Sequence, residues 1–217
     1  MAQPNINYQK KLETILENIT NQKQTPSLML HSCCAPCSSY VLEYLSPYFA
    51  ITVLYYNPNI SPQEEYEHRK AEQIRLIQEG DWKNPVTIQD TDWDASAFAA
   101  ISRGMEDFPE GGARCLKCYE LRLRAAAQTA KEGNYDYFTS TLSISPLKNA
   151  QALNEIGLRL AQEYQTAYLP ADFKKRGGYQ RSIVLSQQYH LYRQDYCGCI
   201  YSKRDRMLQK KERQVSL

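Results

Sequence analysis

The amino-terminal part of the chain shows two hydrophobic patterns in succession. Between residues 7 and 21, apolar side chains such as Leu12, Leu16 and Ile19 recur at helical spacing, which predicts a helix with one face against the rest of the protein. Residues 27–32 then form a short apolar run that is typical of a buried strand. A helix and a strand are therefore expected before the first cysteines.

The alternation of helical and strand patterns continues along most of the chain. Ser38 or Ser39 can cap the next helix, and Ser61 with Pro62 can begin a long one. The predicted elements are a helix with Tyr40, Val41, Leu42 and Leu45, strands over residues 50–56, 86–89 and 135–140, and helices over residues 62–77, 115–130 and 147–164. This order predicts a parallel sheet flanked by helices, in one α/β domain over residues 1–217.

Two features follow directly after predicted strands. The cysteine-rich stretch at residues 33–37 follows the first strand, and a loop at residues 57–62 follows the second. Because ligands of open parallel sheets bind beyond the carboxyl ends of the strands, we expect both features on one edge of the sheet, at the functional site.

The composition is that of an ordinary globular protein, with 42% hydrophobic and 23% charged residues and a net charge of +2. Residues 1–25 are polar apart from the predicted helix, and no stretch has the length and apolarity of a membrane span. We therefore expect a cytoplasmic protein without a membrane partner. Residues 174–176 and the tail at 203–217 are rich in Lys and Arg, which indicates either a phosphate-facing surface or a solvated helix face.

The seven cysteines fall into three groups, and this clustering indicates metal or redox chemistry. The groups are Cys33, Cys34 and Cys37; Cys115 and Cys118; and Cys197 and Cys199. Thiolate ligands suit both tetrahedral zinc and iron-sulfur clusters, so the spacing leaves both open. Cys34 and Cys37 with Cys115 and Cys118 would make a zinc site.

The adjacent pair Cys33-Cys34 favours an iron-sulfur cluster, because neighbouring thiolates reach one cluster more easily than one ion. Cys115 and Cys118 would complete such a set and leave Cys37 for a second metal or for substrate. Cys197 and Cys199 are separated only by Gly198, which allows a small and labile disulfide ring. The alternative for this pair is two separate thiols in a turn.

Six ordered segments between Ser27 and Ser202 together resemble one known family, the epoxyqueuosine reductases of the QueH type. These segments are residues 30–38, 55–60, 112–122, 140–149, 172–182 and 192–199. The resemblance implies a two-electron reduction of epoxyqueuosine to queuosine at the wobble position of a transfer RNA with a GUN-type anticodon. It also implies a reaction independent of cobalamin and a fold similar to the adenine nucleotide hydrolase-like (HUP) layout. Residues 33–37 occupy the place of the phosphate loop in that layout, so ATP is not expected.

The resemblance further implies site residues. Cys33, Cys34, Cys115 and Cys118 would hold a [4Fe-4S] cluster at the carboxyl edge of the sheet, Cys37 would serve an additional iron, and Cys197 with Cys199 would form a redox-active disulfide served by an unidentified electron donor. The residues expected to contact substrate are Tyr56, Asn57, Lys174, Tyr179 and Arg181. Two other classes compete with this interpretation, a zinc-bearing RNA-binding module and a general thiol-disulfide oxidoreductase.

Overall fold

The structure is a computed structural model that describes residues 6–215, with side chains to residue 212. Its first helix, α1 (Tyr8–Asn21), begins at Asn7, whose side chain accepts a hydrogen bond from the Lys10 amide. The apolar stripe of this helix is buried, as its spacing predicts. Residues 1–5 and 216–217, at the two ends of the predicted domain, lie outside the described residues.

Five parallel strands form one sheet, which confirms the predicted α/β class with a parallel sheet. They are β1 (Ser27–His31), β2 (Ala50–Tyr55), β3 (Val86–Asp90), β4 (Tyr137–Ser140) and β5 (Ala167–Tyr168), in the spatial order β3-β2-β1-β4-β5. The two-residue strand β5 pairs with β4 and was not expected from the sequence, because two residues carry no periodicity.

Helices cover both faces of the sheet. Successive side chains of β1 point to opposite faces, so they lie in two different apolar cores. Leu28 and Leu30 lie in one apolar core, which also contains residues of α1, and Met29 lies in the other. The remaining helices are α2 (Ala35–Leu45), α3 (Gln63–Glu79), α4 (Ser96–Ser102), α5 (Ala113–Glu132), α6 (Ala150–Tyr164), α7 (Gly178–Gln188) and α8 (Ile200–Val215). The predicted basic tail therefore belongs mostly to a helix.

Several boundaries differ from those expected. The expectation that Ser38 or Ser39 caps α2 is wrong: the helix begins at Ala35 with Cys34 as its N-cap, and both serines are buried inside it. Pro36 in the first turn has no amide hydrogen to satisfy, which suits it to this early start. Helix α6 likewise begins after Asn149, whose side chain accepts from the Ala152 amide.

The spatial order reverses direction between β1 and β4, which are neighbours although β2 and β3 separate them in sequence. At such a switch point the loops after the two strands leave in opposite directions and open a crevice. The cysteine-rich stretch after β1 and a 3-10 turn after β4, Thr141–Ile144, both lie at this crevice. Within residues 6–215, no helix has the length and apolarity needed to cross a membrane.

We expect Asn154→Ala to destabilise the fold by about 2–4 kcal/mol, because two buried backbone groups would lose their partner. The Asn154 side chain donates to the Ala171 carbonyl and accepts from the Ala171 amide, both at 2.9 Å, and so fixes the segment after β5. Urea unfolding measures the change. The control Gln162→Ala removes an exposed side chain of the same helix and should change the unfolding free energy by less than about 0.5 kcal/mol; equal effects would contradict the assignment.

Candidate metal and redox site

The first cysteine group lies where β1 passes into α2. Cys34 is extended, with φ −177° and ψ 160°, and its carbonyl accepts from the Ser38 amide in the first turn of the helix. The sulfurs of Cys33 and Cys34 are 3.8 Å apart, and both lie within 4.8 Å of the Cys37 sulfur. Among the described residues these three form a group that can hold a metal ion, so Cys37 belongs with the adjacent pair.

The three sulfurs lie so close together that they shift the pKa values of Cys34 and Cys37 in opposite directions. Hydrogen bonds from Cys33 and Cys37, and to a smaller extent the charge of Arg69, hold the pKa of Cys34 well below its usual value. The same contacts raise the pKa of Cys37 well above its usual value, because one thiolate disfavours a second beside it. Cys34 is therefore the member of the group that ionises most readily, at the positive end of α2.

A buried polar network fixes the backbone before the cysteines. Gln73 of α3 accepts hydrogen bonds from Ser32 at 2.7 Å and from Ser38 at 2.8 Å through one amide oxygen. Asn57, in the loop after β2, donates to the Ser32 carbonyl at 2.8 Å. Three segments of the chain therefore hold the strand end that presents Cys33.

The second group lies at the start of α5. Cys118 is buried and packs with Phe98 and Cys199, while Cys115 is partly exposed and accepts from the Gly111 amide at 3.3 Å. Beside Cys115 is Arg114, whose buried guanidinium donates to the carbonyls of residues 105, 106 and 108 and lies 4.3 Å from the Tyr201 ring centroid. Arg114 therefore ties the loop before α5 to α8.

The third group is a tight turn just before α8. Gly198 has φ +117°, and a Cβ there would meet Ile60 at 2.9 Å, so only glycine fits between the two cysteines. Both thiols are free in the structure. Burial raises the pKa of Cys199 to about 12, and its sulfur accepts from the Ser202 amide at 3.3 Å. The predicted disulfide remains a prediction.

Two adjoining cavities bring the three groups together. The larger, of about 390 Å³, is lined by Cys33, Cys34, Cys37 and Cys197. The smaller has room for no more than about one water molecule and is lined by the other cysteines. Glu110, Arg122, Lys148 and Cys197 line both cavities. Cys197 is thus the sulfur that faces both the first group and the second.

Arg122 and Lys148 are functional candidates that the sequence analysis missed. Burial disfavours the charge of Arg122, but Cys118, Cys197 and Cys33 face its guanidinium and raise its pKa, which places it between all three groups. Its position four residues after Cys118, one turn along the same helix, was the available signal. Lys148 is 9% exposed and lies just before α6, next to Cys197.

The residues expected to contact substrate lie in different places in the structure. Tyr179 lines the larger cavity with the first cysteine group. Lys174 pairs with Asp172 at 2.8 Å, and Arg181 forms an ion pair with Glu43 at 2.5 Å. Two others occur after β2 outside both cavity linings: Asn57, which is buried, and Tyr56, whose carbonyl lies 3.1 Å from a ring nitrogen of His31.

The fold and the site define a class: a parallel α/β protein with a cysteine group that can hold metal at the switch point of its sheet. Comparison with known proteins narrows this class. The family model described as epoxyqueuosine reductase QueH matches residues 28–205. Because that match covers most of the chain, the protein belongs to the epoxyqueuosine reductase QueH family, which confirms the resemblance seen in its motifs.

Individual relatives carry the same name. The epoxyqueuosine reductase QueH of Streptococcus pyogenes serotype M1 is 42% identical over 199 residues, which cover 91% of this chain and 78% of the relative. That of Staphylococcus epidermidis is 40% identical over 206 residues, covering 93% and 87% of the two chains. That of Thermotoga maritima is 29% identical over 194 residues, covering 88% and 95%.

We expect Arg114→Met to loosen the loop before α5, because three carbonyls lose a charged donor. Trypsin cleavage after exposed Arg103 should accelerate by about tenfold or more, since roughly 1.4 kcal/mol of lost loop stability raises the open population tenfold. The matched control is Lys117→Met, which removes an exposed cation from the same helix. Equal cleavage rates in the two variants would show that Arg114 does not hold the loop.

Proposed function

We propose that this protein reduces epoxyqueuosine in transfer RNA to queuosine, without cobalamin or ATP. The observation that supports this most directly is the meeting of three cysteine groups at two adjoining cavities. One group can hold metal, and another is a dithiol separated by a glycine in positive φ. A site with both features suits a two-electron reduction, and the names of the relatives supply the substrate.

The reaction balances with a dithiol as the source of electrons. Removal of the epoxide oxygen leaves a carbon-carbon double bond and releases water, which requires two electrons and two protons. Oxidation of Cys197 and Cys199 to a disulfide supplies two electrons. An electron donor, as yet unidentified, must then reduce the disulfide before the next turnover.

The residues present fit a thiolate-bound iron-sulfur cluster. Three thiols converge at the larger cavity, and thiolates are the usual ligands of such clusters. Arg122, which lines both cavities, also carries a buried guanidinium nitrogen without a hydrogen-bond partner among the described residues. Buried donors of this kind need an acceptor, and a cluster with its sulfides would provide several. When bound, a [4Fe-4S] cluster supplies electrons one at a time.

Cys33 and Cys34 are the ligands that we propose with the strongest support, because they belong to the motif-based set and to the structural group. Cys115 and Cys118 complete the motif-based set, whereas Cys37 is the third member of the structural group. In the proposed arrangement Cys115 and Cys118 bind the cluster, and Cys37 binds an additional iron beside it. Metal content of single-cysteine variants distinguishes this arrangement from a cluster held by Cys37.

The substrate base would enter the larger cavity. Tyr179 and Tyr196 line this cavity with Arg193, and Leu147, at its lining, is 73% exposed. Aromatic and apolar groups of this kind stack on bases that are splayed out of an RNA loop. Lys174 and Arg181, on the segment that carries Tyr179, would contact the phosphates of the anticodon stem-loop. A HUP-like layout is part of the same proposal, since its ligands bind at this edge of the sheet.

We expect Cys197→Ser to abolish turnover, because the dithiol can no longer close to a disulfide. The measurement is the conversion of epoxyqueuosine to queuosine in transfer RNA under anaerobic conditions, followed by nucleoside mass spectrometry. Gln162→Ala, on the surface of α6, should turn over at the wild-type rate. Conversion by Cys197→Ser at that rate would remove the dithiol from the mechanism, and no conversion by the wild-type protein would refute the proposed function.

The metal assignment predicts roughly four iron and four sulfide per chain after anaerobic purification, the content of one cubane cluster. Cys34→Ser should retain less than roughly one iron per chain, because it removes the ligand that ionises most readily. Cys199→Ser, which alters a cysteine outside both ligand sets, serves as the control and should keep its iron. Stoichiometric zinc in place of iron would instead favour the zinc-bearing module.

A further inference from the structure

Helix α8 carries an apolar stripe at the surface that the proposed reaction does not use. Ile200 and Leu208 are each 53% exposed and Met207 is 54% exposed, and the three recur at helical spacing on one face of the helix. Leu147, at the larger cavity, is the other large apolar side chain more than half exposed among the described residues. Apolar side chains grouped at the surface in this way mark an interaction site.

The stripe lines a groove of about 330 Å³ between α8 and the loop before α3. Ser61 and Pro62 form one wall, and the apolar stripe forms the other together with Lys203, Arg204 and Lys211. Arg204 pairs with neighbouring Asp205, but within residues 6–212 the other two cations form no ion pair and no acidic side chain lines the groove. The groove therefore has an apolar centre and a cationic rim.

The groove adjoins the turn that carries the third cysteine group. Its wall is joined to that turn by the Ser61 amide, which donates to the Gly198 carbonyl at 3.0 Å, and Ile200 directly follows Cys199. Among the described residues, none lines both this groove and the larger cavity. A partner in the groove can therefore lie next to the dithiol while substrate occupies the larger cavity.

We propose that this groove is the docking surface of the electron donor, a small acidic protein that carries one electron at a time. An apolar centre inside a charged rim is typical of protein interfaces, and the cations of the rim attract an acidic partner. Electron-transfer partners meet through small interfaces, which suits a groove of this size. The inference rests on the proposed function, because that function requires such a donor.

The electron count of the proposed reduction balances. Two reduced carriers, which dock one after the other, are each oxidised by one electron. These two electrons, with two protons from water, break the sulfur-sulfur bond of the oxidised pair and leave two thiols.

Three other occupants suit the groove less well. A dithiol donor must bring its own sulfur into contact with a sulfur of the pair, but neither Cys197 nor Cys199 lines the groove. Single-stranded RNA binds where bases stack on aromatic rings, and the described lining contains none. A second copy of this chain, related by two-fold symmetry, would bring the same cations against each other.

The test is the affinity of the metal-loaded chain for a reduced plant-type [2Fe-2S] ferredoxin, an acidic one-electron carrier, under anaerobic conditions. Biolayer interferometry at about 0.1 M salt measures the Kd, because charges more than roughly 10 Å apart are then largely screened. Lys203→Glu combined with Lys211→Glu should raise the Kd by about tenfold or more, because two charges of the rim are reversed.

A matched control makes the same change of net charge elsewhere. Lys83→Glu combined with Lys131→Glu reverses two exposed lysines that precede β3 and β4, at the opposite edge of the sheet from the cysteines. This control should change the Kd for ferredoxin by less than about threefold.

A neutral variant separates a protein partner from RNA. Met207→Gln removes part of the apolar centre without changing charge and should raise the Kd for ferredoxin by about threefold or more, while the Kd for transfer RNA stays the same. An RNA groove would lose affinity for transfer RNA in the Lys203→Glu, Lys211→Glu variant and keep its affinity for ferredoxin. That result, or ferredoxin that fails to bind or binds all variants equally, would overturn the inference.

Turnover distinguishes failure of this inference from failure of the proposed function. Dithionite is a small reductant that needs no docking surface. In the Lys203→Glu, Lys211→Glu variant, the ratio of ferredoxin-driven to dithionite-driven conversion of epoxyqueuosine should fall by about tenfold, in proportion to the lost affinity. A chain that binds ferredoxin through the groove but converts no epoxyqueuosine with either reductant refutes the proposed function alone.

Discussion

The parallel pairing of β1 with β4, from Leu28 beside Tyr137 to His31 beside Ser140, is the contact on which the site depends. It joins two segments that lie more than a hundred residues apart and sets their carboxyl ends side by side. The His31 ring lies 2.9 Å from the Ser140 hydroxyl across this pair, and burial lowers the pKa of His31 to about 3, so it stays neutral there. The loops that follow carry the first cysteine group and the turn that leads to Lys148.

Buried charge is the second constraint. The three largest fully buried side chains are arginines: Arg69, Arg114 and Arg122. Each would be costly in an apolar interior without compensation. Arg69 forms an ion pair with Glu65 at 2.7 Å, and Arg114 donates to three carbonyls, but Arg122 has one hydrogen bond, to the Cys118 carbonyl at 3.2 Å, among the described residues. Sulfurs of all three cysteine groups face Arg122, so the same side chain belongs both to the buried interior and to the site.

The sequence predicted the sheet and the cysteine site because both depend on local patterns. Strand and helix periodicities can be recognised in short stretches of sequence, and the three cysteine groups can be recognised from the spacing of their cysteines. Strand β5 was missed because it is two residues long and exists by pairing with β4. The start of α2 was misjudged because Cys34 caps it through its backbone, which no side-chain preference reveals.

The roles of the charged residues could not be predicted, because they arise from contacts across the fold. Lys148 and Cys197 are 49 residues apart in sequence, and Arg122 meets Cys33 only when α5 packs beside β1. Conversely, Lys174 and Arg181 are conspicuous in the sequence, but in the structure they pair with Asp172 and Glu43. An exposed ion pair such as that of Arg181 with Glu43 contributes little to stability.

The measurement that tests the account most directly is a diffraction experiment on anaerobically grown crystals, with anomalous maps recorded on both sides of the iron absorption edge. The account predicts an iron peak bounded by the sulfurs of Cys33 and Cys34, at the larger cavity beside Cys197. A peak that persists only at the zinc edge, or iron bound away from the end of β1, would contradict it.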